Sequence, residues 1–380
     1  MNLVAAGFAL TALSYGLARF AFGLLLPQIR EDLALGVTAA GWIGGCGFAA
    51  YCVGIVLAFY GIGASGVRVI TLAASGTATV GMCLVAFAAS GWTLGLGFGL
   101  AGLSTGLTSP PLAAAVATLF DHDDSRKANA TINAGTAAGI VFSGLATLMA
   151  AGMWRELYGM FALLGAAVTA WLWYAVPTSH NVNNTNRPSL AILKRPGIFK
   201  LCTSAFLTGL ASTALWTFGA DILLTEYRFT PSRLAWLWVI VGAAGISGSL
   251  TGLLSDRFGI GRVHGGSLLA IAVATLGLAA ASISPVYGFV AMGLFGAAYI
   301  VSTGAFLIQG IELLADRPDL GLGIPFLTLA LGQAAGAPLF GAALDVVGTV
   351  TALVMFAAAA GLAIFIRPQA EQGACVAGRA

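Results

Sequence analysis

Tyr15 and Arg19 are the residues most suggestive of chemistry, because they lie four apart inside an apolar stretch, residues 3–26. Side chains at this spacing share one face of a helix. At about 1.5 Å per residue the stretch can cross the ~30 Å hydrocarbon layer of a bilayer. An arginine there costs about 2.5 to 3.5 kcal/mol to insert, so it normally faces protein or water rather than lipid.

The planar guanidinium of Arg19 could bind a carboxylate, sulfonate or phosphate through paired N–H donors. The alternative is an arginine that caps helix carbonyls or extends toward the membrane surface. The sequence leaves both interpretations open.

Two carboxylates, Asp221 and Glu312, each lie near the end of a predicted apolar segment, Asp221 toward the outer side of the membrane and Glu312 toward the inner side. Burial of such a carboxylate would raise its affinity for protons and let it couple a proton gradient to another process. Both could instead be ordinary solvated residues at helix ends. We expect Asp345 to lie in a loop.

Other chemistries find little support. We expect the three histidines, His122, His180 and His264, to lie in loops, which predicts no haem or metal site within the membrane. The sequence has no phosphate-binding loop of the Gly-x-x-x-x-Gly-Lys-Ser/Thr type and no activated nucleophile motif. We therefore predict no enzyme, no cofactor and no metal.

Composition places these residues in a membrane protein. Hydrophobic residues make up 59% of the 380 residues and charged residues 8%, too little charge to cover a soluble domain. We predict an all-α fold of twelve transmembrane helices, the first of which is retained rather than cleaved. The predicted spans are about 3–26, 38–60, 68–90, 92–119, 129–151, 157–176, 198–222, 234–254, 265–283, 286–314, 321–343 and 350–366.

A polar, asparagine-rich linker at residues 177–197 divides the chain into two six-helix bundles, residues 1–176 and 198–380. Twelve of the seventeen basic residues would lie on the side of the membrane that holds both termini, and four on the other. The excess of basic residues predicts cytoplasmic termini. The net charge of +3 then reflects topology and predicts no nucleic-acid partner.

Four short motifs recur in the second half at an offset of about 195 residues, which indicates two parallel repeats. Many of the fifty-two glycines also have the small-xxx-small spacing that lets membrane helices pack closely. The recurring motifs are Gly99-Leu100-Ala101-Gly102 with Gly293-Leu294-Phe295-Gly296, Gly135-Thr136-Ala137-Ala138-Gly139 with Gly332-Gln333-Ala334-Ala335-Gly336, Gly61-Ile62-Gly63 with Gly259-Ile260-Gly261, and Phe22-Gly23 with Phe218-Gly219.

The segment after the eighth predicted span resembles a loop of the major facilitator superfamily, Gly-x-x-x-Asp-Arg-x-Gly-x-x-Arg. It contains Gly252, Asp256, Arg257, Gly259 and Arg262 at those positions. The resemblance implies a cytoplasmic latch in which Asp256 contacts a helix terminus or an arginine in one conformation only. An ordinary polar turn is the alternative.

The resemblance extends over all twelve spans, with departures. The corresponding loop of the first half has Ala58 and Phe59 where the pattern has Asp and Arg. Ile140 and Val141 stand where drug and proton antiporters have a proline after the glycine of the fifth span, which argues against drug efflux. The run from Tyr15 to Gly23 resembles a bacterial branch of this superfamily.

The resemblance implies a cavity lined by the first, fourth, seventh and tenth spans, and hence a secondary carrier with a small-molecule substrate. It would act as a monomer in the bacterial inner membrane. Such a carrier would move a small organic solute, an anion if Arg19 binds it, by alternating access and with possible proton coupling. Efflux of lipophilic drugs, or ligand binding without transport, are the alternatives. The candidate substrate residues are Tyr15, Arg19, Thr105, Trp216, Tyr299 and Gln309.

Overall fold

The computed structural model describes residues 2–150, 152–178, 192 and 194–366. Most of the predicted linker at 177–197 and the predicted tail after residue 366 lie outside this part of the chain. The described residues fold into helices and connecting turns, with no β-strand among them. This confirms the predicted all-α class.

Each of the twelve predicted spans corresponds to a helix among the described residues. Ten of these helices are long and apolar enough to cross a membrane. The other two are α4, with 29 residues, and α12, with 17. The helices are α1 (Asn2–Asp32), α2 (Val37–Ser65), α3 (Val67–Ala86), α4 (Gly91–Leu119), α5 (His122–Met149), α6 (Trp154–Ala175), α7 (Ile198–Thr225), α8 (Pro231–Phe258), α9 (Ile260–Ser282), α10 (Pro285–Leu313), α11 (Pro318–Val347) and α12 (Thr349–Phe365).

Several predicted loops are wrong because the helices run further than the apolar pattern suggests. Gly259 has φ +81° and lets α9 begin directly after α8. Asp256 and Arg257 are therefore helical, and His264 is buried within α9. Asp345 likewise belongs to α11, where its carboxylate accepts a hydrogen bond from Thr38.

One proposed repeat also needs correction. Gly61 and Gly63 lie inside α2, whereas the turn between α2 and α3 is made by Gly66, with φ +83°. Gly66, rather than Gly61, is thus the conformational counterpart of Gly259. A turn of this shape needs a residue that tolerates positive φ, so glycine recurs at the turn itself.

One other glycine repeat makes the same contacts in both halves. A side chain at Gly135 would clash with the carbonyl of Phe8 on α1, and one at its counterpart Gly332 with the carbonyl of Phe206 on α7. The glycines thus bring α5 directly against the backbone of α1 in the first half, and α11 directly against the backbone of α7 in the second half. The shared packing supports the two parallel repeats.

Glycines also bring the two halves together. Gly45 on α2 faces the carbonyl of Ala334 on α11, and Gly144 on α5 faces the carbonyl of Ala235 on α8. A third close approach joins Gly23 on α1 to the carbonyl of Trp216, where α7 is interrupted by a turn at residues 217–218. These contacts place α1 and α7 side by side at the centre of the molecule.

Helix α1 is wound as a π-helix over Ala12–Phe20. The N–H of Ala21 bonds to the carbonyl of Gly16, five residues earlier, where an α-helix would bond four residues back. Ser14 within this segment is held by α4, since the hydroxyls of Ser104 and Thr108 lie 2.9 and 3.0 Å from Ser14 Oγ. Arg19 lies near the end of the π-helical segment.

Candidate functional site

Arg19 is buried at the contact between the two halves, with 5% of the residue exposed. Its Nη2 donates to Oε1 of Gln333 on α11 at 2.7 Å, so this bond joins the first half to the second. Its Nε is buried and has no hydrogen-bond partner among the residues that the structure describes. In the part of the chain that the structure describes, no carboxylate forms an ion pair with Arg19.

Three aromatic rings surround this guanidinium. Its central carbon lies 4.5 Å from the ring centroid of Tyr51, 4.6 Å from that of Phe48 and 5.1 Å from that of Phe20. Each distance is within the range of a cation–π interaction, which stabilises a cation without neutralising its charge. The positive charge of the buried Arg19 is therefore uncompensated within its own site.

Gln333 is held in place from its other side. Its Nε2 lies 3.1 Å from the hydroxyl of Tyr299 on α10 and 3.2 Å from Oγ of Ser212 on α7. Gln333 and Ser212 are completely buried, and 5% of Tyr299 is exposed. Arg19 and Tyr299, both predicted site residues, thus contact the same amide group.

Trp216 lies next to this polar group and forms the centre of an apolar cluster of aromatic rings. Its ring stacks on Phe20 with centroids 4.2 Å apart and packs edge-on against Tyr299 at 5.3 Å. Phe295 and Trp238 complete the cluster, at 5.1 and 6.1 Å from Trp216. The indole Nε1 of Trp216 is buried without a hydrogen-bond partner. A donor group thus lies within an otherwise apolar environment.

Tyr15 and Thr105 lie on the first-half side of this site. The ring of Tyr15 contacts Tyr51 edge-on at 6.4 Å, and its hydroxyl lies 2.9 Å from Oγ of Ser109. Thr105 is completely buried, and its hydroxyl lies 3.0 Å from the carbonyl of Ser14. Tyr15 and Arg19 thus both contact the ring of Tyr51, whereas Thr105 packs α4 against the π-helical segment.

Gln309 and Glu312 lie away from this cluster on α10. Gln309 is ten residues after Tyr299, or about 15 Å along a helix. It is buried, and its Oε1 has no partner. Glu312 is exposed in the last turn of α10. Among the described residues neither side chain forms a hydrogen bond or ion pair with Arg19 or Gln333, so the role of Gln309 in substrate binding stays a prediction.

Asp221 lies at the end of the bundle opposite the linker. Its carboxylate forms an ion pair with Arg30 near the end of α1, where the ion pair joins the two halves. Only 3% of Asp221 is exposed, and its Oδ1 has no partner. Arg30 is further held by its Nε, which donates to the carbonyl of Leu35 at 3.2 Å.

The predicted latch is at the other end of the second half. Gly252, Asp256 and Arg257 lie in the last turns of α8, Gly259 forms the turn, and Arg262 begins α9. Asp256 is exposed and forms no ion pair with any described residue. Its role as a latch stays a prediction for another conformation.

The sequence analysis missed Gln333, Tyr51, Phe48 and Ser212. Gln333 carried a detectable signal, because it is the polar residue that interrupts the repeated motif Gly332-Gln333-Ala334-Ala335-Gly336. The aromatic residues carried none, since apolar side chains within apolar helices are not distinguished by pattern. Their role follows only from their distance to Arg19.

Comparison with known proteins places this geometry in context. Residues 8–318 match the family described as Major Facilitator Superfamily. The inner membrane transport protein YdhP of Escherichia coli O157:H7 is 26% identical over 383 residues, covering 96% of this chain and 95% of that protein. The purine ribonucleoside efflux pump NepI of Escherichia coli K12 is 24% identical over 222 residues. That match covers 53% of this chain and 51% of NepI, so the chain spans about half the length of this relative.

Two solved structures share the fold. The crystal structure of the nucleoside transporter NupG superposes with a TM-score of 0.77 at 14% identity, covering 96% of this chain and 98% of that one. A D-xylose-proton symporter superposes with a TM-score of 0.78 at 14% identity, covering 96% of both chains. The likeness to these structures concerns architecture, and at this identity it carries no information on ligands.

Proposed function

Since this chain belongs to the Major Facilitator Superfamily and is a multi-pass membrane transporter, we propose that it carries a small organic anion by alternating access. The observation that supports this is the uncompensated charge of Arg19, buried between the halves without a carboxylate partner. An anion bound there would neutralise a charge that is otherwise costly to bury. Alternating access would then expose this central site to one side of the membrane at a time.

The surroundings of Arg19 favour an anion with an apolar or aromatic body. Phe20 and Trp216 form a stacked pair beside the guanidinium, and Tyr299 packs against Trp216. Aromatic rings of this kind bind flat apolar groups, whereas the guanidinium would bind the charged group.

Asp221 is the better candidate for proton coupling. It is buried in contact with a cation of the opposite half, and one carboxylate oxygen lacks a partner. Protonation would weaken its attraction to Arg30 and so link proton binding to the separation of the halves. Glu312 is exposed, so its protonation would change no contact across the halves.

Ribonucleoside efflux is a second candidate, favoured by the similarity to NepI over half of each chain. The Trp216 cluster could stack on a purine base, and Gln333 could bind its edge. In this case Arg19 would serve to position Gln333 rather than to bind charge.

Equilibrium binding to purified Arg19 variants separates the two candidates. We expect benzoate to bind the wild type and Arg19→Lys to weaken that binding. Arg19→Ala should weaken it further, by about 2 to 4 kcal/mol of binding free energy, which is a loss of affinity of about 30-fold or more. A point charge on Lys cannot reproduce the paired donors. Arg233→Ala, which removes an exposed arginine, is the control. If adenosine binds and benzoate does not, or if Arg19→Ala binds benzoate as well as the wild type, the anion proposal is wrong.

We also propose that the protein acts as a monomer in the bacterial inner membrane with both termini in the cytoplasm. The distribution of the basic residues favours this orientation. Reporter fusions after Ala380 and at Asn183 should both report the cytoplasm. A periplasmic signal at either position would contradict the orientation.

A further inference from the structure

The hydrogen bonds around Gln333 have a fixed direction. An arginine side chain has only donors, so the atom of Gln333 that faces Arg19 Nη2 at 2.7 Å must be the carbonyl Oε1. The amide Nε2 then faces the other way, toward Tyr299 and Ser212. Arg19 thereby determines that Gln333 donates to both hydroxyl oxygens.

The two hydroxyl groups differ in what they do with their protons. Ser212 donates to the carbonyl of Gly209 at 2.7 Å, so its oxygen can accept from Gln333 while its proton is used. The oxygen of Tyr299 also accepts from Gln333, but its proton has no acceptor among the described residues. A buried hydroxyl therefore retains one unused donor next to the guanidinium.

Three donors in this small region lack acceptors among the described residues: Nε of Arg19, the O–H of Tyr299 and Nε1 of Trp216. Arg19 and Tyr299 contact the same amide, and the rings of Tyr299 and Trp216 are in edge-on contact. Oε1 of Gln333 accepts from Arg19, and the hydroxyl oxygens of Ser212 and Tyr299 accept from Gln333. The region therefore offers a ligand three donors, while each acceptor beside them already takes part in a hydrogen bond.

We infer that Tyr299 donates the second hydrogen bond to the bound anion, and that Gln333 determines specificity by leaving the Tyr299 proton free. This inference rests on the proposed function of Arg19 as the anion-binding residue. The site would accept a carboxylate, which has acceptor atoms only. It would bind the matching carboxamide more weakly, because the N–H groups of the carboxamide would meet the three donors rather than unused acceptors.

The test compares benzoate with benzamide, two probes that share a ring and differ in the polar group. Binding is measured by titration calorimetry on the wild type, on Tyr299→Phe and on Tyr287→Phe. Tyr287 is on the same helix, exposed, and far from Arg19, so it serves as the matched control. We expect Tyr299→Phe to weaken benzoate about tenfold, as for loss of a hydrogen bond to a charged group, and Tyr287→Phe to leave it unchanged.

A second variant tests the role of Gln333. Gln333→Glu places a carboxylate on Arg19, so it should abolish benzoate binding while the melting temperature stays at or above that of the wild type. Loss of binding in this variant follows from Arg19 alone, so the comparison of benzoate with benzamide on the wild type decides the role of Tyr299 if Tyr299→Phe does not fold. Benzoate binding that survives Gln333→Glu would overturn both the inference and the proposed function.

The outcomes separate this inference from the proposed function. If benzoate binding requires Arg19 but changes less than twofold in Tyr299→Phe, the role of Tyr299 is wrong and the anion carrier stands. Equal affinity of the wild type for benzoate and benzamide would likewise overturn the inferred preference for a carboxylate, and the anion carrier would stand. A wild type that binds benzoate no better than Arg19→Ala does would overturn both.

Discussion

The carboxylate of Asp221 on α7 and the guanidinium of Arg30 on α1 form an ion pair that joins the two halves at the end opposite the linker. The side chain of Asp221 is 4% exposed and that of Arg30 18%, so water screens the ion pair only weakly. Separation of the halves at this end must break it. Its contribution to the closed arrangement should therefore be measurable.

We expect Asp221→Asn to shift the population toward conformations open at this end, by roughly 1 to 3 kcal/mol for loss of the charged partner. Spin labels in place of the exposed residues Glu31 and Glu226 would report the distance between the halves. Asp32→Asn is the matched control, since Asp32 pairs with Arg155 inside the first half. Identical distance distributions in wild type and Asp221→Asn would show that the ion pair does not hold the halves closed.

Asp256→Asn tests the latch. Asp256 is exposed and unpaired among the described residues of this conformation, so a latch contact would have to form in another one. We expect the substitution to change the distance distribution between the halves at the linker end while benzoate affinity within the same state stays unchanged. Asp124→Asn is the control, because Asp124 pairs locally with Lys127. If both variants behave alike, Asp256 is an ordinary helix-end residue.

Gly332→Ala tests whether the repeated glycines hold the helices together. A methyl group there would clash with the carbonyl of Phe206, so α11 and α7 would have to separate. We expect a loss of about 1 to 3 kcal/mol of stability, seen as a lower melting temperature in detergent. Gly361→Ala on α12 is the control, since a methyl group there meets no atom within 4 Å. An equal melting temperature for the two variants would contradict this role.

Sequence alone was sufficient for the class, and it singled out Arg19 as a residue whose burial needs an explanation. Low charge and apolar segments of helix length predict membrane helices, and the cost of burying Arg19 marks it as a residue that needs a partner. Both conclusions depend on local composition, which a single sequence displays directly. The twelve helical segments follow from the same signal.

The partners of Arg19 could not be predicted in this way. Gln333 is 314 positions away in the chain, and its contact depends on how α1 packs against α11. The predicted helix ends near Gly259 were wrong for a different reason, because Gly259 permits a very short turn between α8 and α9. His264 is therefore a helical residue rather than a loop residue. Helix ends and short loops contain the same kinds of polar residues, so composition does not distinguish them.

The π-helical segment Ala12–Phe20 also bears on how α1 tolerates insertion and deletion of residues. Each of its hydrogen bonds spans one residue more than an α-helical bond, so it holds surplus residues within a continuous helix. Deleting Ala12 while the winding of the remaining residues is kept would rotate Arg19 relative to the residues before Ala12 by up to about 100°, the angle between neighbouring residues of an α-helix. We expect such a deletion to preserve the helix content measured by circular dichroism but to abolish benzoate binding. The hydrogen bond of Arg19 to Gln333 and the close packing of Phe8 against Gly135 could no longer both be formed. Unchanged benzoate affinity would contradict this. Among related chains, a one-residue gap in this segment should then accompany a change of ligand rather than a loss of the helix.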